Sequence, residues 1–441
     1  MRSLPLLAPA LVAVVTLAGL APATAGNRAQ VSTDNETPVL YDDEKGGHAS
    51  GDDPAIWVHP RRSERSIVIV TAKEGGLRVY DARDRELQSL QATARPDPGR
   101  FNNVDIAYGV RLAGRRVDLA VVSDRYNDTI RLFAIDPAGS RADRPLREVT
   151  AGGRDWIFAR SQKELESEHT AYGLAVYQPA GGPAQVVVTQ EGEAAMAVLR
   201  LVPRANGRVG YRVQRRIAMD STFRVGGETW TPCEEPGVGP QLEGVTVDQA
   251  TGTLYAAQED VGLWRVDLRG STPPVLVDRV RDFGVRDVWR PAQEECVPAP
   301  GESEEDNPFG GRIVADAEGV DLWYGPGGTG YLVLSSQGSS EFLVYERGFA
   351  GSQANRRVGV FVVTGRGVDR VHGSDGLAIT NRPVGRFRQG LLVTHDEPET
   401  GADVDDERDA TNFSFVSWGK VARSLGLRRP STVPGNDPRF R

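Results

Sequence analysis

Glu318-Gly319-Val320-Asp321-Leu322, Gly330-Tyr331-Leu332-Val333-Leu334-Ser335 and Phe342-Leu343-Val344-Tyr345 follow one another along a single stretch of the chain. Each segment is short and apolar, and turns rich in Gly, Pro and Ser separate them, the pattern of consecutive β-strands. The first segment opens on an acid. The second is apolar almost throughout, as a strand buried on both faces must be, and the third ends on an apolar–aromatic pair.

The same triplet recurs on either side. Opening segments stand at 53–57, 105–108, 172–176, 243–247, 318–322 and 375–379, and apolar runs at 66–71, 117–123, 185–189, 253–257, 330–335 and 390–394. The third segments are 77–81, 130–133, 196–199, 263–266, 342–345 and 413–416. Six copies of each predict an all-β fold, a six-bladed β-propeller with four-stranded antiparallel blades. Length agrees, because 441 residues exceed one ordinary core of ~100–150 residues and a repeat architecture absorbs the excess. Fifty Gly and 28 Pro suit many short strands joined by tight turns.

A formal charge of −8 argues against nucleic acid and against an anionic membrane surface as partners, and suits a cation or a cation-complexed substrate. Of 52 basic residues only Lys45, Lys73, Lys163 and Lys420 are lysine, so a lysine at a motif position carries information. Residues 1–25 read as a secretory signal peptide: Arg2, an apolar run over 4–20, and Ala23-Thr24-Ala25 before the cleavage point. The mature chain is therefore expected to be exported. In that compartment Cys233 and Cys296, the only cysteines, read as a disulfide.

The opening strand of a propeller blade lines the central channel, so equivalent starting residues gather at one mouth. The expected starters are Asp53, Asp105, Tyr172, Glu243, Glu318 and Asp375. One acidic–Gly pair is ordinary turn chemistry, but five carboxylates at equivalent positions repel one another unless cations sit among them. Oxygen ligands without His or Cys suit Ca²⁺.

Asp52-Asp53-Pro54-Ala55-Ile56-Trp57-Val58, Asn102-Asn103-Val104-Asp105, Glu243-Gly244 with Gln258-Glu259-Asp260, and Ser335-Ser336-Gln337-Gly338 before Tyr345-Glu346-Arg347 resemble the signatures of the β-propeller phytases. The resemblance covers about Glu36 to Leu425. It implies a calcium-dependent phosphomonoesterase that hydrolyses phytate, myo-inositol hexakisphosphate, to lower inositol phosphates by attack of a metal-activated water, with several Ca²⁺ ions bound. By the same resemblance Lys73, Arg125, Tyr172 and Glu243 are catalytic, and Lys73, Arg125 and Gln190 bind substrate. Gln190 stands where the family usually has lysine; a glutamine donates hydrogen bonds but adds no charge. The implied metal ligands are Asp52, Asp53, Asp105, Glu243, Glu259, Glu318, Asp369, Asp375 and Asn412, with Glu36 the candidate for an upstream acid.

The expected partner is phytate as its calcium complex, bound by a monomer. The five histidines are scattered and read as surface or packing residues. Two insertions, 220–240 and 282–312, each carry one cysteine and lead into Glu243 and Glu318, so a bridge between them would wall the cleft. The propeller is expected over 26–425 and a disordered tail over 426–441. Two other readings stay open, another calcium-dependent propeller hydrolase such as a lactonase, and a non-catalytic binding propeller.

Overall fold

The computed structural model describes residues 28–43, 48–93, 98–153, 155–270, 272–293, 295–305, 307–348, 355–365, 367–400, 404–405, 408–427 and 437–440. The expected signal peptide, 1–25, lies outside them. Six antiparallel sheets follow one another as blades. Their innermost strands are Pro54–Trp57, Phe101–Leu112, Ala171–Tyr177, Leu242–Asp248, Ala317–Tyr324 and Leu377–Thr380. Each inner strand contacts the next, and the sixth contacts the first, so the ring is closed.

Second strands are the most apolar because they are covered on both faces: every residue of Ile67–Thr71, Gly330–Ser336 and Leu391–Asp396 is buried. The apolar clusters lie between blades. Trp57, Ile67 and Val79 of the first blade pack with Phe101, Ile106 and Phe133 of the second. Leu391 and Phe413 of the sixth pack with Ile56, Val68 and Tyr80 of the first. Each such side chain contributes about 1.5–3 kcal/mol on burial, so each blade is stabilised chiefly by its neighbours.

The amino-terminal segment closes the ring. Asn35–Glu36 pairs antiparallel with Ala410–Ser417 and supplies the outer strand of the sixth blade, while Ala29–Ser32 adds a parallel fifth strand to the fifth blade.

The two insertions fold against each other. Phe223–Val225 pairs with Glu228–Trp230 in one hairpin, and Asp287–Arg290 with Glu295–Pro298 in the other. Trp230 sits 4.6 Å from Phe283, its indole N–H donates to the Val285 carbonyl, and Cys233 is bonded to Cys296 with Cα atoms 6.0 Å apart. The expected disulfide is present.

Part of the expected disordered tail, 428–436, lies outside the described residues. Residues 437–440, however, are seated beneath the channel. Arg439 donates to Asp437 at 2.8 Å and to the Ile379 carbonyl at 3.1 Å, and Phe440 meets Tyr108 edge-on at 4.8 Å. The reason is charge: Asp321 is half-buried in the channel wall, and Arg439 lies 3.8 Å from it.

Candidate active site at the channel mouth

Four inner strands share one irregularity. Their register with the second strand skips two residues between Phe101 and Val104, Ala171 and Leu174, Leu242 and Val245, and Ala317 and Val320. A bulge of this kind re-aims side chains at a sheet end, and its occupants are Asn102-Asn103, Tyr172-Gly173, Glu243-Gly244 and Glu318-Gly319.

The glycines serve close approach. A Cβ on Gly173 would lie 1.9 Å from the Glu243 carbonyl oxygen, and one on Gly244 2.2 Å from that of Glu318. The same contact carries Gly319 to the Asp375 carbonyl and Gly376 to Asp53. The acidic–Gly pairs thus bring successive blades into backbone contact and crowd their acids together.

This register corrects the expected rim. Asp105 stands three positions beyond Asn102, inside the channel, where its carboxylate accepts from Val176 N–H at 2.7 Å and Ile106 N–H at 2.6 Å. Asp321 is its counterpart, accepting from Ile379 N–H at 2.6 Å. Asp53 likewise accepts from Val104 N–H at 3.0 Å. These three join one blade to the next. Asp52, Asn102, Tyr172, Glu243, Glu318 and Asp375 form the mouth instead.

The acids at the mouth fall into three groups whose potential ligand atoms lie within 4.8 Å of one another: Glu243, Glu259 and Glu318; Asp375, His395 and Glu397; and Glu36, Asp369 and Asp396. Asn412 pairs with Asp396 across the sixth blade and bonds to Glu36. Asp52 is buried between the first two groups, facing Glu243, Lys73 and Asp375. Buried oxygens without a hydrogen-bond partner occur on Asp52, Glu259, Glu318, Asp369, Asp396 and Asn412.

Burial first, and then neighbouring carboxylates, push Asp52, Glu259 and Glu318 well above the usual carboxylate range. Asp396 is pushed up to about 9, mainly by burial. Tyr172 bonds to Glu243 and thereby partly offsets the same rise there.

Two cations face this charge. Lys73, at a positive φ of 44°, places Nζ 3.8 Å from Asp375. Burial alone would lower its pKa, but Asp52 and Asp375 hold it above the ordinary lysine value. Arg125 stands over the Tyr172 ring at 5.4 Å and pairs with Glu191. Gln190 donates to the His169 carbonyl at 2.9 Å, so its amide is engaged in its own wall.

Sequence reasoning passed over several residues. His395 is fully buried, accepts from Asp375 N–H at 3.3 Å and is held neutral by burial, with its pKa lowered to about 3. Asp396 and Glu397 follow it at the end of an apolar run, and this His-Asp-Glu ending was the available signal. Gln337 donates to Asp375 at 2.5 Å. Glu234, directly after Cys233, bonds to Asp260, and burial raises its pKa to about 7.

Among the described residues no helix is long and apolar enough to cross a membrane. Compared with known proteins, residues 3–221 and 287–437 match the model of the phytase family. The break between the matched segments holds the first cysteine-bearing insertion from Thr222 onward. The chain is 28% identical over 389 residues to a 3-phytase of Bacillus subtilis (strain 168), covering 86% of this chain and 82% of the relative. Two solved structures also align. One, described as BBS1N in complex with ARL6DN, is 11% identical, with a TM-score of 0.38 over 82% of this chain and 78% of that one. The other, RRP9 WD40 repeats, is 12% identical, with a TM-score of 0.42 over 88% of this chain and 100% of that one. Likeness at that level carries no argument. The family match spans most of the six-bladed chain, so this protein belongs to the phytase family and is an enzyme of that kind.

Proposed function

We propose that the enzyme is a calcium-dependent phytase, exported, that removes phosphate from phytate at the acidic mouth of the channel. One observation carries this reading: buried carboxylate oxygens without partners crowd together beside Lys73 and Arg125. Such oxygens are costly unless a cation satisfies them, and an anion-binding pair next to a cation-binding group fits a metal-complexed phosphate ester.

The donors fit calcium. Glu243, Glu259, Glu318, Asp52 and Asp375 would hold cations nearest the two basic residues, and Glu36, Asp369, Asp396 and Asn412 would hold one toward the sixth blade. Bound there, calcium would supply the positive charge that neutralises the carboxylates and draws charge from the phosphate oxygens. Lys73 and Arg125 fix phosphate orientation, and Tyr172 holds the Glu243 carboxylate in place. Water adds to phosphorus as the ester P–O bond breaks, and the inositol oxygen leaves with a proton, so no covalent enzyme intermediate is required. The segment 1–25 and the Cys233–Cys296 bond support export.

Phosphate release from phytate, followed with calcium present and with excess chelator, tests the reading. Calcium-supported release that chelation lowers by at least about 100-fold is expected. Undiminished release after verified metal removal refutes it.

A further inference from the structure

The mouth opposite the acidic one carries the reverse charge. A cleft of about 1490 Å³ opens there between the ends of the second and third blades and the carboxyl-terminal turn. Arg111, Arg115, Arg116, Arg144 and Arg147 line it, all exposed. Its acids are already engaged: Asp118 accepts from Trp57 Nε1 at 2.8 Å and Gly109 N–H at 2.7 Å, Asp136 from Ala138 N–H at 2.7 Å, and Glu148 pairs with Arg131. Among the described residues these five arginines have no ion pair or side-chain hydrogen bond. Arg111 and Arg116 stand directly opposite each other across the hairpin, a like-charge pair that is destabilising unless an anion lies over it.

We propose that this cleft is a second, calcium-independent binding site for a small, multiply phosphorylated molecule. Guanidinium groups take phosphate oxygens two at a time, and several arginines around one concavity match several phosphates on one compact molecule. A long polyanion fits less well, because a chain of net charge −8 attracts it only over this patch. The aromatic residues here do not offer a stacking face for bases: Trp57 is buried, and Phe440 is covered by Tyr108 on one side and by Arg382, 4.2 Å from its centroid, on the other. The choice of phytate as a probe rests on the function proposed above; the arginine geometry does not.

Calorimetry on the full chain in excess chelator, with phytate and separately with inorganic tripolyphosphate, tests the site without turnover. Without calcium the acidic mouth repels both probes, so binding reports the arginine cleft. The combined variant Arg111→Ser, Arg116→Ser, Arg147→Ser should weaken binding by about tenfold or more, and the matching lysine variant by less, because charge is kept and the paired bonds are lost. Melting temperatures no lower than that of the unaltered protein show that both variants are folded. Absence of binding by both probes, binding within about twofold in the serine variant, or binding lost instead in Lys73→Met overturns the proposal. Failure to hydrolyse phytate would refute the proposed function and leave the tripolyphosphate measurement standing.

Discussion

Two tiers of carboxylates line the same channel and meet opposite fates. In the upper tier Asp52, Glu259 and Glu318 retain buried oxygens without partners. In the lower tier Asp105 and Asp321 accept backbone N–H groups of the next blade, and Arg439 stands beside Asp321. All are carboxylates largely withdrawn from water, the upper three buried and Asp105 and Asp321 half-buried. What differs is whether the neighbouring blade presents a backbone N–H: Asp52 accepts only the Asn102 side-chain amide from the second blade, at 3.0 Å, and keeps its other oxygen without a partner, and that separates a cation ligand from a structural staple.

The comparison breaks most directly at the upper tier. Glu243→Ala or Glu318→Ala should lower kcat a hundred- to thousand-fold, ~3–4 kcal/mol of transition-state stabilisation. Removing a repelling acid should at the same time raise, not lower, the melting temperature of the calcium-free protein. Wild-type turnover in both variants would dissolve the distinction between the tiers.

The wall beside the upper tier comes next. Reducing the Cys233–Cys296 bond, or replacing both cysteines by serine, should cost about 2 kcal/mol of stability. It should raise KM for phytate while the calcium requirement stays, because the bond joins loops and not blade strands. Thermal melts and steady-state kinetics on the protein with and without the bond measure both effects.

Asp105→Ala is the matching test of the lower tier. It strands the Val176 and Ile106 N–H groups, which should cost about 1–3 kcal/mol in denaturant unfolding with kcat changed only a few-fold. A loss of activity as large as that of the Glu243 variant would return Asp105 to the metal site.

The most gradual effect is a pH slope. Burial raises the carboxyls of Asp105 and Asp128 from 3.8 to about 6 each in the folded state. Their folded pKa lies above the unfolded one, so the stability they contribute is complete below about 3.8 and is lost as pH rises through about 6. The calcium-free protein should therefore melt several degrees lower at pH 7 than at pH 4.5, and Asp105→Asn should flatten part of that slope.

Much of the site was readable along the chain. Glu243, Glu318 and Asp375 each precede glycine at the start of an apolar segment, and the structure sets all three at the mouth. Asp105 looked equivalent because it too precedes a short apolar run. The two-residue bulge at Asn102-Asn103 shifts it by three positions, and a skipped register leaves no mark on hydrophobic alternation. His395 and Asp396 were missed because they end a second strand instead of starting a first one, and it is the pairing of Leu377 with Thr394 inside the sixth blade that sets that end beside Asp375.

Six repeats, their strand order and the acidic–Gly starters Glu243, Glu318 and Asp375 were determined by the sequence itself, because strand periodicity and turn residues act over a few positions. Which acids keep an oxygen free, that Arg439 returns beneath the channel, and that the two insertions meet were decided only by the tertiary structure. Those outcomes depend on where one blade's N–H groups, carbonyls and charges fall relative to the next, and that spacing exists only once the ring has closed.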